Sequence, residues 1–197
     1  MKSTKRCTWC GEDPLYVEYH DKEWGVPVWD CESLFEKLIL DGAQAGLSWI
    51  TILRKREGYR KAYDNFNPER MARFSELKLE QLMGDAGIVR NRLKIHSARQ
   101  NARAYLAIME GPQNFADFLW AFVGDRTIQN EWAHSEQIPV TTVQAEAMSR
   151  ALKKAGFSFV GPTIVYAFMQ AVGMVNDHLV CCHRHHECQT IAKANAG

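Results

Sequence analysis

Apolar residues recur along this chain with a helical rather than an alternating period. Leu34, Phe35, Leu38 and Ile39 fall on one helical face, with Ser33 as the predicted N-cap and Asp41 at the edge of the face. Trp49, Ile50, Ile52 and Leu53 open a second helix that turns basic at Arg54, Lys55, Arg56, Arg60 and Lys61. Its predicted end is Asn67-Pro68. Further helices are predicted over Leu77–Met83, Arg90–Met109 and Phe115–Val123, whereas residues 124–141 show no period and read as irregular. The expected fold class is all-α.

The clearest local signal lies further on. Ala147, Met148, Ala151, Leu152 and Ala155 repeat at three- and four-residue spacing, and Gly156 follows where a helix takes a C-terminal glycine. After Phe157-Ser-Phe-Val-Gly161, Pro162 suits the first turn of a new helix, whose apolar face is Ile164, Val165, Phe168 and Val172. This is helix, short glycine-bounded hairpin, helix. Free N–H groups at the start of the second helix suit a phosphate, with Arg150, Lys153 and Lys154 nearby. The same spacing also fits an ordinary helical hairpin with a solvated basic face.

Composition narrows the class. With 197 residues, 46% apolar, the chain can bury one substantial core, and it carries no internal repeat or low-complexity linker. One domain over 1–197 is expected. The net charge of +1 confines any nucleic-acid affinity to local patches. No apolar run approaches the ~20 residues that cross a bilayer. Six cysteines follow a basic start without the apolar stretch of an export signal, so a reduced, cytoplasmic protein is expected.

Those cysteines cluster with histidines at the two ends. Cys7, Cys10 and His20 stand near the start, and His178, Cys181, Cys182, His183, His185, His186 and Cys188 near the end. Thiolate and imidazole suit a tetrahedral zinc ion that takes two ligands from each half-site and staples the termini together. Spacing does not choose among them, and Cys7-x-x-Cys10 is itself a reasonable half-site.

Four segments carry a family resemblance: Asp13-Pro-Leu-Tyr-Val-Glu-Tyr-His-Asp-Lys-Glu-Trp-Gly-Val-Pro27, Gly42-Ala-Gln-Ala-Gly-Leu-Ser-Trp-Ile-Thr51, Phe157-Ser-Phe-Val-Gly161 and Val175-Asn-Asp-His178. In this order they closely resemble the bacterial 3-methyladenine DNA glycosylase I family, over about residues 7–182. The resemblance implies the helix-hairpin-helix glycosylase fold; beyond it, residues 183–197, with His185, His186 and Cys188, read as a flexible, solvated tail. It implies Cys7, His20, His178 and Cys182 as ligands of a structural zinc. Gly156, Val160, Gly161, Thr163 and Lys153 would meet the DNA backbone. The wider superfamily usually places an acidic residue two positions before the histidine matching His178; this chain has Asn176 there, as the 3-methyladenine group lacks that aspartate.

The implied activity is excision of 3-methyladenine from double-stranded alkylated DNA by a monomeric, monofunctional enzyme, with no lysine placed for a Schiff base. A base methylated at N3 is cationic and a good leaving group. Electron-rich aromatic faces attract such a cation, and the resemblance assigns Tyr16 and Trp49 to stacking, Trp9 and Trp24 to the pocket wall, and Tyr19 to a phenolic hydrogen bond. Asp41 is the expected catalytic residue, its carboxylate meeting the positive charge and the exocyclic amino group. The family carries glutamate here, so one methylene is missing, which bears on the preference between methylated adenine and guanine. Another glycosylase of the same fold and a non-catalytic, zinc-stapled DNA-binding module are the competing readings. Gln44-Ala-Gly-Leu47 fits either a wedge for the vacated stack or close helix packing.

Overall fold

The structure is a computed structural model that describes residues 5–194. Ten α-helices form among these residues: α1 (Pro14–Lys22), α2 (Cys31–Gln44), α3 (Trp49–Ala62), α4 (Pro68–Ala72), α5 (Glu76–Met83), α6 (Arg92–Met109), α7 (Phe115–Trp120), α8 (Val143–Lys154), α9 (Pro162–Ala171) and α10 (His183–Ala194). A two-residue parallel pairing, β1 (Ile128–Gln129) with β2 (Val175–Asn176), ties the irregular stretch to the segment after α9. No described helix is long and apolar enough to cross a membrane.

α2 is the central element. Leu34, Phe35 and Leu38 are fully buried, and the helix packs on α3, α6, α7 and α9. Each such side chain contributes roughly 1.5–3 kcal/mol by leaving water. The helix begins three residues earlier than predicted, because Asp30 rather than Ser33 closes its first turn. The Asp30 carboxylate accepts the Ser33 N–H at 2.8 Å. One apolar cluster takes buried residues from Cys7 through Cys182.

α3 stops at Ala62, short of the predicted end. Asp64, Asn65 and Phe66 adopt positive φ and break the helix. Pro68 then serves as the first residue of α4, capped by Asn67, rather than as the terminator of α3. α1 is a helix the periodicity did not reveal. Its signal was the Asp13-Pro14 pair, in which the Asp13 carboxylate accepts the Leu15 and Tyr16 N–H groups and proline takes the first turn.

The expectation of a flexible tail from residue 183 is overturned. α10 buries Arg184 and Cys188, the His183 N–H donates to the Lys5 carbonyl, and Asn176 Nδ2 donates to the His185 carbonyl. The His183 and His185 rings meet the Lys5 and Asn130 carbonyls, whereas His186 is exposed; residues 195–197 lie outside the described residues.

The predicted hairpin forms between α8 and α9. Gly156 takes φ +99°, a value open to glycine, and Pro162 sits in the first turn of α9. α6 clamps the loop. Gln100 Nε2 donates to the Gly156 carbonyl at 2.7 Å, and the Asn101 amide exchanges two hydrogen bonds with the Ser158 backbone, at 2.8 and 3.0 Å.

Candidate functional site

Four helices and the N-terminal segment bring chemistry to one cavity of about 210 Å³. Trp9, from the turn before α1, lines it with Tyr16, Tyr19 and Trp24 from α1 and its C-terminal turn, Asp41 from α2 and Trp49 from α3. Thus every aromatic and acidic residue expected in the pocket converges there. Gln44, Ile138, Ala167, Gln170 and Ala171 complete the lining. The rings are braced edge to face: Trp9 stands 5.0 Å from both Tyr16 and Trp24 between centroids, and Tyr19 stands 5.4 Å from Trp49. This bracing holds the aromatic walls apart around the opening.

Asp41 is only 2% exposed. Such burial penalises the charged form and pushes its carboxyl above the usual range, while Lys37 opposes the rise. Lys37 Nζ approaches Asp41 Oδ1 at 3.2 Å and sits 3.3 Å from the Trp49 ring centroid. Asp41 Oδ2 has no partner. The same holds for the indole Nε1 atoms of Trp9 and Trp49, both buried. Buried polar atoms without partners are uncommon and costly. Three such atoms, one acceptor and two donors, belong to residues that line this one cavity.

Sequence reasoning missed Lys37, although it stands one helical turn before Asp41 on α2 and the i, i+4 spacing was visible. It also missed Gln170, which no local motif marks. Gln170 Nε2 donates to Asp177 Oδ2 at 2.8 Å, and the buried Asp177 accepts further hydrogen bonds from Asn130, Trp132 and Tyr166. These four donors satisfy the Asp177 carboxylate and fix the Gln170 amide at the pocket wall.

The loop after α2 also differs from one of its expected uses. Gly46 has φ +78°, and a Cβ there would meet nothing within 4 Å. Glycine therefore serves the turn rather than close helix packing, and the neighbouring Leu47 is 40% exposed. Lys94 Nζ ties the loop down through the Ala43 and Ala45 carbonyls.

Next to the cavity, Cys7, His20, His178 and Cys182 are buried with their ligand atoms within 4.8 Å of one another. Cys7 Sγ lies 3.7 Å from His178 Nδ1, and Cys182 Sγ lies 3.6 Å from His178 Nδ1 and 3.5 Å from His20 Nε2. A tetrahedral zinc with Zn–S of about 2.3 Å and Zn–N of about 2.0–2.1 Å spaces sulfur and nitrogen about 3.6 Å apart. The donor set and its spacing fit such an ion. His20 Nδ1 meets Asp21 Oδ1 at 2.7 Å and His178 Nε2 meets the Trp24 carbonyl at 3.0 Å, which orients each ring with its other nitrogen toward the cluster. Gly25 packs on His178 so closely that a Cβ would lie 2.9 Å from Nε2. The Cys7 hydrogen bond, with help from both imidazoles, holds the Cys182 thiol far below its usual range, while the same bond and burial push Cys7 up. Cys10 is turned away, its Sγ donating to the Cys7 carbonyl, and Cys181 and Cys188 stand outside the cluster.

At the hairpin, Gly161 caps α9 without a side-chain acceptor, and Lys153 and Thr163 are exposed. Val160 contributes backbone only, for its side chain is buried and its carbonyl accepts from Ser149 Oγ at 2.6 Å.

Comparison with known proteins places these features in a lineage. A family model described as methyladenine glycosylase matches residues 9–185. DNA-3-methyladenine glycosylase 1 of Escherichia coli is 50% identical over 181 residues, covering 91% of this chain and 97% of that protein. A crystal structure of 3-methyladenine DNA glycosylase I superposes with a TM-score of 0.90 at 49% identity, covering 91% of this chain and 98% of the other. A variant of 3-methyladenine DNA glycosylase I solved in complex with 3-methyladenine gives 0.88 at 35% identity, over 90% and 96%.

Proposed function

The chain belongs to the methyladenine glycosylase family, and we propose that it removes 3-methyladenine from alkylated DNA by holding the flipped base in the cavity of Trp9, Tyr16, Tyr19, Trp24, Asp41 and Trp49. The observation that carries this reading is the set of three buried, unpartnered polar atoms on the aromatic walls of that cavity. A flipped adenine offers an amino donor to Asp41 Oδ2 and ring nitrogens to the indole N–H groups. Its positive charge is matched by the Asp41 carboxylate and by π-faces, each worth up to roughly 2 kcal/mol in a dry site.

The chemistry needs little acid catalysis. N3-methylation leaves the base cationic, so rupture of the C1′–N9 bond returns its electron pair to a ring that becomes neutral. Water adds to C1′, loses a proton and leaves an abasic site. The protein's part is to extrude the nucleotide, which costs a few kcal/mol, and to select the cation. The hairpin supports this by gripping the DNA backbone through the N–H groups at the start of α9, with Gly156, Val160 and Gly161 supplying backbone and Lys153 and Thr163 side chains. Leu47, on its tied loop, is the wedge for the vacated stack.

We further infer that Cys7, His20, His178 and Cys182 hold zinc. Four protein ligands leave no position for water, so the ion's contribution is structural. It fixes the segment that carries Trp9 to the end of the chain.

Lys37 pairs with Asp41, but its amine lines a neighbouring cavity rather than the base cavity. Among the described residues no lysine lines the base cavity, and we infer that the enzyme is monofunctional. In single-turnover reactions with methylated duplex DNA, chromatography should find free 3-methyladenine and electrophoresis an unbroken strand. Borohydride should trap no covalent complex. Intact methylated base after prolonged incubation with bound enzyme would refute the activity; a trapped adduct would refute the hydrolytic route.

A further inference from the structure

Lys37 is a cation behind the pocket rather than in it. A second cavity, of about 300 Å³, adjoins the first and shares Tyr19, Trp49 and Ala171 with it. Lys37 lines this second cavity and Asp41 lines the first. The ion pair therefore runs through the shared wall: Nζ holds Oδ1 at 3.2 Å, while Oδ2 is left without a partner. The Trp49 face, 3.3 Å from Nζ, fixes the ammonium from another side.

We propose that Lys37 is a positioning and specificity-determining residue, which keeps Asp41 ionised and thereby makes Oδ2 a hydrogen-bond acceptor for an amino-bearing base. The inference rests on the reading of the first cavity as the base pocket. A carboxyl buried in apolar surroundings without a counter-ion takes up a proton, and protonated it presents an O–H donor. A donor suits the carbonyl oxygen of a guanine; an acceptor suits the amino group of an adenine. Lys37 thus sets which purine edge the carboxyl group reads. The alternative sources of charge around Nζ are already matched. From α1 and its C-terminal turn, Lys22 pairs with Glu18 and Glu23 is bound by Arg56 of α3. From α2, Glu36 is bound by Arg60 of α3, and the Tyr19 hydroxyl, held neutral by burial, adds no charge. Ala171, the α9 residue that lines this cavity, and Val172 just after it bring none. Asp41 is the one carboxylate within ion-pair distance of Lys37 among the described residues.

The test is the pH dependence of single-turnover 3-methyladenine release from methylated duplex DNA, for the wild type, Lys37→Met and Lys37→Arg. Methionine keeps the stem and drops the charge. Asp41 must be ionised to act, so activity is lost as pH falls through its pKa, and the acid limb should move to higher pH in Lys37→Met by about one to three pH units. Lys37→Arg should bring the limb back toward the wild type. The ratio of 3-methyladenine to 3-methylguanine released should fall in Lys37→Met at the acid end and recover at the alkaline end. A rate lowered by the same factor at every pH, with melting temperature reduced, would assign Lys37 a merely structural role and overturn the proposal; so would an unchanged profile. If the wild type itself releases no 3-methyladenine, the failure belongs to the reading of the pocket and not to Lys37.

Discussion

Stripping the metal from the Cys7, His20, His178 and Cys182 cluster with a strong chelator is expected to lower the melting temperature by roughly 10–20 °C. The cluster joins residues 171 positions apart, Cys7 and His178, and so closes nearly the whole chain into a loop. Metal binding to such a site is folding free energy, since no preformed site exists in the unfolded chain. A loss of about 5 kcal/mol, at about 2–4 °C per kcal/mol for a chain of this size, gives that shift. Without the ion, two buried sulfurs and two imidazoles remain crowded together, and Trp9, which packs on His20, loses its anchor. Calorimetry with elemental analysis checks this: the protein as purified should contain one zinc per chain. Complete removal of zinc with an unchanged melting temperature would show that packing alone joins the ends. Cys182→Ser should behave like the chelated protein even in excess zinc, because oxygen is a poorer donor in a soft site.

Asp41→Asn is expected to lower the rate of 3-methyladenine release by about tenfold to a hundredfold, from the ~1.5–3 kcal/mol that a hydrogen bond to a charged group supplies. The amide keeps an oxygen for the amino group but loses the charge that meets the cationic base. The substitution also leaves Lys37, whose side chain is 15% exposed, without its counter-ion. A broken buried pair destabilises through the orphaned charge, so the melting temperature should fall along with activity. The double variant Lys37→Met with Asp41→Asn separates the two effects. It should regain stability and remain impaired in excision. Excision by Asp41→Asn at the wild-type rate would remove Asp41 from the mechanism.

Much of this molecule was legible in its residues, for identifiable reasons. α6 and the α8–α9 hairpin announced themselves because long apolar periodicity, Gly156 and Pro162 all point to the same local structure. α1 did not, because its nine residues are short and carry little apolar bias, so that capping by Asp13 rather than periodicity defines it. The helical fate of residues 183–194 was hidden for a different reason. α10 is weakly amphipathic and is secured by tertiary hydrogen bonds to the Lys5 and Asn130 carbonyls and from the Asn176 amide, which no local pattern reports. In the site, the aromatic and acidic residues and the metal quartet came from family motifs, and their convergence is a property of the fold. Periodicity placed Asp41 only at the edge of an apolar face. Its full burial and the free Oδ2 required the packing of α3 and α9 against α2, although the i, i+4 spacing to Lys37 was on view. Spacing alone likewise left Cys10 a plausible ligand; the turn after Cys7 points its sulfur back at the Cys7 carbonyl.

On the proposed function, one aromatic cavity with a charged acceptor reads the excised base. A crystal structure of this protein with 3-methyladenine tests it most directly. The base should lie among Trp9, Tyr16 and Trp49 with its exocyclic amino group within hydrogen-bond distance of Asp41 Oδ2. A base found elsewhere on the surface, or seated in the cavity with Asp41 turned away, would contradict it.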